Sequence, residues 1–202
     1  MESTENRKTL EAYEASAEKY VNGTAHVSSA DVSDWIKRAL SGLPTAAKIL
    51  ELGSAFGRDA ADAEKLGYAF QCTDAAQSFV SLLRKQGREA YVLNAITDEL
   101  GQGWDMVYAN CVFLHFTAAQ FKAVLDKIHG SLSEGGILAF ALKRGEGSEW
   151  SSEKMGAPRF FHYWTQVQLN ELLSGAKLEV VDMRDGITEG DSNKIYVVAR
   201  KK

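Results

Sequence analysis

The chain has 202 residues, enough for one domain with a substantial core, and its 45% hydrophobic and 25% charged content is that of an ordinary globular protein. A formal net charge of −4 argues against a nucleic-acid partner, which would be met by a basic face, and no apolar run approaches the ~20 residues of a membrane span. Cys72 and Cys111 lie far apart in strand-like runs, which argues against a disulfide framework or a metal site and for buried thiols in a reducing compartment; the polar start has no signal-peptide segment, so a cytoplasmic location is expected.

Along the chain, Leu10, Tyr13, Ala17 and Tyr20 recur near a helical period and predict a helix over residues 7–20. Ser28-Ser29-Ala30-Asp31 has the pattern of a capping box. Behind it Val32, Trp35, Ile36, Ala39, Leu40 and Leu43 form an apolar stripe that Pro44 ends. Residues 1–44 are thus expected to form a helical cap on a core spanning 45–202, the whole a single domain.

Ile49-Leu50-Glu51-Leu52 reads as a buried strand. It runs through Gly53-Ser54-Ala55-Phe56-Gly57 into a helix that begins at Arg58-Asp59. Strand, glycine loop and helix bring backbone N–H groups up to a nucleotide-type ligand. The dinucleotide fingerprint and the phosphate loop are both poor fits, because Ala55 stands where a second glycine belongs and Gly57 is followed by Arg58 and not by lysine. A second strand, from Tyr68 on, ends in Asp74, about 20 residues past the loop, where a carboxylate accepts from a ribose diol. Asp74 also reads as the cap of the helix carrying Phe79, Val80, Leu82 and Leu83. A third strand ends at Asn94-Ala95-Ile96.

Trp104-Asp105 opens a fourth strand that ends at Asn110, with His115 just beyond it, at the carboxyl edge where open α/β sheets bind ligands. Thr117–Gln120 and Thr165–Gln168 read as helix caps. Residues 137–142 form a fifth strand. A long aromatic stretch over 148–163 follows, and loops of such length have a job or are disordered; residues 145–163 are a candidate lid. Two last strands, from Leu178 and Ile195, are joined by a polar loop and not by a helix.

An acidic residue followed by Gly-x-x-x-Gly, the aromatic-Asp pair and the closing strand pair together resemble the class I S-adenosylmethionine (SAM)-dependent methyltransferases over residues 46–200. The family's loop usually carries a further glycine between Gly53 and Gly57. The stretch from Arg159-Phe160-Phe161 onward resembles small bacterial members. The resemblance implies an α/β fold: a seven-stranded, mostly parallel sheet with helices on both faces and the last strand antiparallel. It implies SAM contacts at Tyr20, Glu51, Gly53, Ser54, Gly57, Arg58, Asp74, Asn94, Ala95, Ile96 and Asn110, with Tyr13 a second aromatic candidate. If the acceptor must lose a proton, His115 is the expected general base, with Asn110 beside the reacting centre. The acidic balance and aromatic loop favour a small-molecule acceptor. Two other readings remain open at this level: a SAM- or nucleoside-binding module without catalysis, and an NAD-dependent oxidoreductase.

Overall fold

The computed structural model describes residues 3–202. Helices α1 (Thr4–Ala15), α2 (Ala17–Asn22) and α3 (Ala30–Leu40) precede the first strand. Strands β1 (Ile49–Leu52), β2 (Phe70–Asp74), β3 (Ala90–Val92), β4 (Trp104–Asn110) and β5 (Leu132–Lys143) then alternate with α4 (Arg58–Lys65), α5 (Gln77–Lys85) and α6 (Ala118–Ser131). A hairpin of β6 (Ser148–Ser151) and β7 (Arg159–His162) follows, and α7 (Gln166–Gly175), β8 (Leu178–Asp185) and β9 (Lys194–Lys201) complete the chain. The main sheet has the order β3-β2-β1-β4-β5-β9-β8. β9 runs antiparallel to both of its neighbours, while β1 to β5 pair in parallel. This is the expected seven-stranded arrangement.

Strand alternation divides the core. Leu50 and Leu52 face one cluster, built with Phe121, Val124 and Leu125 of α6 and Leu169 and Leu173 of α7. Ile49 faces the other, built with α3, α4 and α5. A side-chain period of two puts each residue of a strand on the face opposite its neighbour, so a strand covered by helices on both faces reads as a continuous apolar run.

The first helical segment and the second divide their work differently from the expected cap. The helix predicted over 7–20 breaks at Ser16 into α1 and α2. α1 lies against α5, β7 and the 3-10 turn Phe113–His115, at the carboxyl end of the sheet. α3 is no part of a cap. It packs on the sheet face, where Trp35 is fully buried, donates to the Val197 carbonyl at 3.1 Å and lies 4.7 Å from the Tyr108 ring. Trp35→Ala is expected to cost about 3–5 kcal/mol, read as a lower urea midpoint with unchanged slope.

Capping also separates expectation from structure. Thr117 with Gln120 and Thr165 with Gln168 form the reciprocal boxes their sequences indicate. Ser29 alone caps α3, accepting from Val32 N, while Asp31 binds Ile187 N and Thr188 N of the β8–β9 loop at 2.8 Å each. Asp74 does not cap α5. That helix start is met by Glu14 of α1, which accepts from Gln77 N and Ser78 N. Residues 148–163, read as irregular, are the β6–β7 hairpin, with Trp150 opposite Phe160. Thr9 of α1 accepts from Phe160 N at 2.9 Å and joins this hairpin to the first helix.

Candidate active site

β1 delivers Glu51 to the loop with its side chain buried. Desolvation, with Asp59 nearby, pushes the Glu51 carboxyl up to about 8, and the Ser54 hydroxyl and Cys72 thiol offset this only in part. Its Oε2 is buried without a partner. Gly53 then turns with φ +70°, and a Cβ there would lie 2.5 Å from Val112 Cγ2. The loop therefore needs glycine at Gly53 both for its conformation and for its closeness to the residues after β4.

Ala55 occupies the place of the missing glycine and adopts the same left-handed region, at φ +48°. That conformation costs an alanine roughly 1–2 kcal/mol. Ala55 N donates to Asp74 Oδ2 at 2.9 Å, which holds the residue in place. The other Asp74 oxygen accepts from Ala76 N at 2.9 Å. Burial raises the Asp74 carboxyl to about 6, with these backbone bonds acting against the shift.

At the end of β4, Asp59 is the organiser. Its Oδ2 accepts from Tyr108 OH at 2.9 Å and from Asn110 Nδ2 at 2.7 Å, and its Oδ1 accepts from Arg58 Nε at 2.9 Å. Because a carboxylate only accepts, the Asn110 amide must turn its NH2 toward Asp59. Asn110 Oδ1 is left buried and unpartnered. Cys111 follows with φ +60°, a second non-glycine residue held in a left-handed conformation.

Two adjoining cavities result. One, of about 110 Å³, is lined by Asp74, Leu93, Asn94 and Ala95 together with Asn6 and Thr9 of α1. The larger, about 290 Å³, has Glu51, Ser54, Arg58 and Asp59 on one side and Lys143, Lys154, Arg159 and Phe161 on another. Tyr13, Tyr20, Gly53, Asn110, Cys111 and His115 line both and mark where they meet.

His115 is buried and hydrogen-bonded at both ring nitrogens. Its Nδ1–H donates to the Phe160 carbonyl at 2.7 Å, which leaves Nε2 to accept from the Tyr13 hydroxyl at 2.8 Å. Desolvation pushes the imidazole down to about 3, with Arg159 and Lys143 adding to the shift. A nitrogen already occupied, on a ring this reluctant to take a proton, is a poor general base. The Tyr13 oxygen bound to it in turn accepts from Arg159 Nη1 at 3.2 Å.

Of the residues expected at the site, Tyr20, Glu51, Gly53, Ser54, Arg58, Asp74, Asn94, Ala95, Asn110 and His115 line these cavities. Gly57 and Ile96 do not. Gly57, at φ +80°, is the N-cap of α4, where a Cβ would meet Leu83 at 2.8 Å. Ile96 packs into the core, its N–H held by Asn94 Oδ1 at 3.1 Å. Asp59, Asn6 and Arg159 were not singled out as site residues. Asp59 adjoins the loop motif; Asn6 carries no local signal, since only the fold brings it to Asn94 Nδ2 at 3.1 Å.

Residues 50–140, from β1 into β5, match the model of the family described as methyltransferase domain. The matched span includes the glycine loop, Asp74, Asn94 and Asn110. Over this span the chain is similar to the methyltransferase-domain family, and its fold is that of the class I SAM-dependent methyltransferases. No curated protein matches it in sequence. Its fold is similar to that of the Burkholderia thailandensis 1,6-didemethyltoxoflavin-N1-methyltransferase, solved with 1,6-didemethyltoxoflavin and S-adenosylhomocysteine (SAH): TM-score 0.75, 18% identity, 100% of this chain and 91% of that one. A TehB-like SAM-dependent methyltransferase from Corynebacterium glutamicum gives a TM-score of 0.69 at 19% identity, over 96% of this chain and 98% of that one. The [4+2]-cyclase SpnF shares the fold too, with a TM-score of 0.65 at 16% identity over 85% of this chain and 80% of that one.

SAM is the cofactor that the matched family implies, and the site's own atoms fit it. The orphaned oxygens of Glu51 and Asn110 are acceptors suited to an ammonium group, and Asp74 sits where a diol would be held. The nicotinamide reading gives way: β9 lies antiparallel between β5 and β8, an arrangement a dinucleotide-binding domain does not call for.

Proposed function

We propose that this methyltransferase transfers a methyl group from SAM to a small-molecule acceptor bound in the larger cavity. The observation that carries the reading is the junction of the two cavities at Tyr13, Asn110 and Cys111, with nucleoside-type groups on one side and a roomier chamber on the other. When bound, SAM supplies an electrophilic methyl group on a sulfonium. The chain's residues bind, align and exclude water. Asp74 accepts from the ribose hydroxyls, and Asn94 and Ala95 border the adenine. Glu51 and Asn110 Oδ1 accept from the ammonium of the amino-acid end, and Arg58 pairs with its carboxylate. Tyr13 and Tyr20 wall the transfer zone; burial raises both phenols, so each keeps its proton. The β6–β7 hairpin, within the 145–163 segment, serves as the cover of the acceptor side.

A second reading, SAM binding without methyl transfer, draws support from SpnF, a cyclase in name on a similar fold: fold alone does not fix chemistry. Incubation with methyl-tritiated SAM and a filtered metabolite extract separates the two. Label in filterable products, absent from a boiled control, is the expected result. Label confined to the retained macromolecules would contradict the small acceptor, and no transfer at all would favour the second reading.

A further inference from the structure

The larger cavity holds an excess of positive charge that the described residues do not neutralise. Arg58 is paired with Asp59, and Lys194 with Asp191. Lys143, Lys154 and Arg159 line the same cavity, and among the described residues none of them has a carboxylate within ion-pair distance. They rest instead on aromatic faces: Lys143 Nζ lies 4.6 Å from the Phe161 centroid, Lys154 Nζ 4.4 Å from Tyr20, and the Arg159 guanidinium 5.0 Å from Phe161.

Arg159 is the decisive group. It is 6% exposed, and among the described residues its Nε has no hydrogen-bond partner and its one polar contact is to the neutral Tyr13 hydroxyl. Buried charges are normally paired, because a guanidinium removed from water without an anion is costly. The Phe160 carbonyl, His115 and Tyr13 form a chain of hydrogen bonds that ends on this guanidinium and holds it at the cavity wall. The acids that reach the cavity do not answer it. Asp59 is engaged by Arg58, Tyr108 and Asn110, Glu51 is buried beneath the glycine loop, and Glu153 is exposed.

We infer that the methyl acceptor carries an anionic oxygen group, a carboxylate or a phosphate, and that Arg159 with Lys143 grips it in the larger cavity. The inference rests on the methyl-transfer reading for the word acceptor, but the anion site is testable by itself. A planar guanidinium forks two N–H groups toward such an oxyanion, and the ammonium of Lys143 adds a point charge beside it.

The test is calorimetric titration of the full chain, free and SAH-loaded, with sodium benzoate and separately with inorganic phosphate. Benzamide serves as the neutral analogue, and sodium chloride at matched ionic strength as the salt control. Saturable binding of benzoate or phosphate, with none of benzamide, is expected; which anion binds distinguishes a carboxylate acceptor from a phosphorylated one. Arg159→Met is expected to weaken that binding at least about tenfold, and Arg159→Lys less. Arg184→Gln, at an exposed pair with Asp182, should leave it unchanged. If Arg159→Met does not fold, as judged by circular dichroism, Lys143→Gln and Arg159→Lys decide by the same criterion. Anions binding no better than chloride, or equally well to the variants, would overturn the inference. So would a loss of SAH affinity in Arg159→Met, which would assign Arg159 to the cofactor's own carboxylate. Failure of SAH to bind the native chain would instead count against the methyl-transfer reading, while the free-protein titration still decides the anion site.

Discussion

Asp74→Ala is expected to weaken SAM and SAH binding by about a hundredfold, the equivalent of ~2.7 kcal/mol. Hydrogen bonds to a charged group are worth about 1.5–3 kcal/mol each, and a diol makes two of them. The variant also frees Ala55 N, whose bond at 2.9 Å tethers a residue at φ +48°. The glycine loop then has no reason to stay in its strained form before the ligand arrives. Protonation should reproduce part of this effect. Burial lifts the Asp74 carboxyl to about 6, so the charged form that a diol needs is present above that pH and lost as pH falls through it. Affinity should drop toward tenfold per pH unit below this point, and the profile of Asp74→Asn should be flat. Calorimetry across mildly acid pH reads both.

Glu51→Gln is expected to move stability and binding in opposite directions. The folded carboxyl titrates at about 8, against 4.5 for an exposed one. Between those values the folded state keeps a proton that the unfolded state has lost. Stability is therefore full below the unfolded value and falls as pH rises toward the folded one, by at most about 1.4 kcal/mol per unit. His115 works the other way, but only below its ordinary 6.5, since burial holds it near 3 in the fold. Between pH 6.5 and 8 the Glu51 contribution is therefore unmixed with that of His115. Glutamine removes the titration, so the ligand-free variant should gain thermal stability at pH 8 and lose the slope. It also removes the anion that an ammonium would recruit, and SAM affinity should fall at least about tenfold. Parallel melting profiles for native and variant chains would contradict the buried, half-neutral Glu51.

What could be read in the sequence was whatever is local. Trp104 to Asn110 is the observed β4 to the residue, as the resemblance implies: the aromatic-Asp pair opens the strand and polar Asn110 closes it. Thr117 and Thr165 cap as read, since the box needs only residues three apart. The last two strands pair as expected because a polar loop of their length cannot make a parallel crossover. What failed depends on contacts far along the chain. Asp74 looked like a helix cap, yet Glu14 holds that helix and frees Asp74 for the loop. The hairpin at 148–163 has strands too short for alternation to register, and its place is set by Thr9. The partners of His115, Tyr13 and the Phe160 carbonyl, lie too far along the chain to be read beside it. Ala55 looked like damage to the motif, and the structure instead gives an alanine the conformation a glycine would have taken.

The central claim is that this loop and strand-end carboxylate hold SAM. Calorimetric titration of the native chain with SAM and SAH, with NAD as the comparison ligand, tests it most directly. Micromolar binding of both SAM-type ligands, about a hundredfold weaker in Asp74→Ala and absent for NAD, is the predicted result; no binding of either, or a preference for NAD, would contradict it.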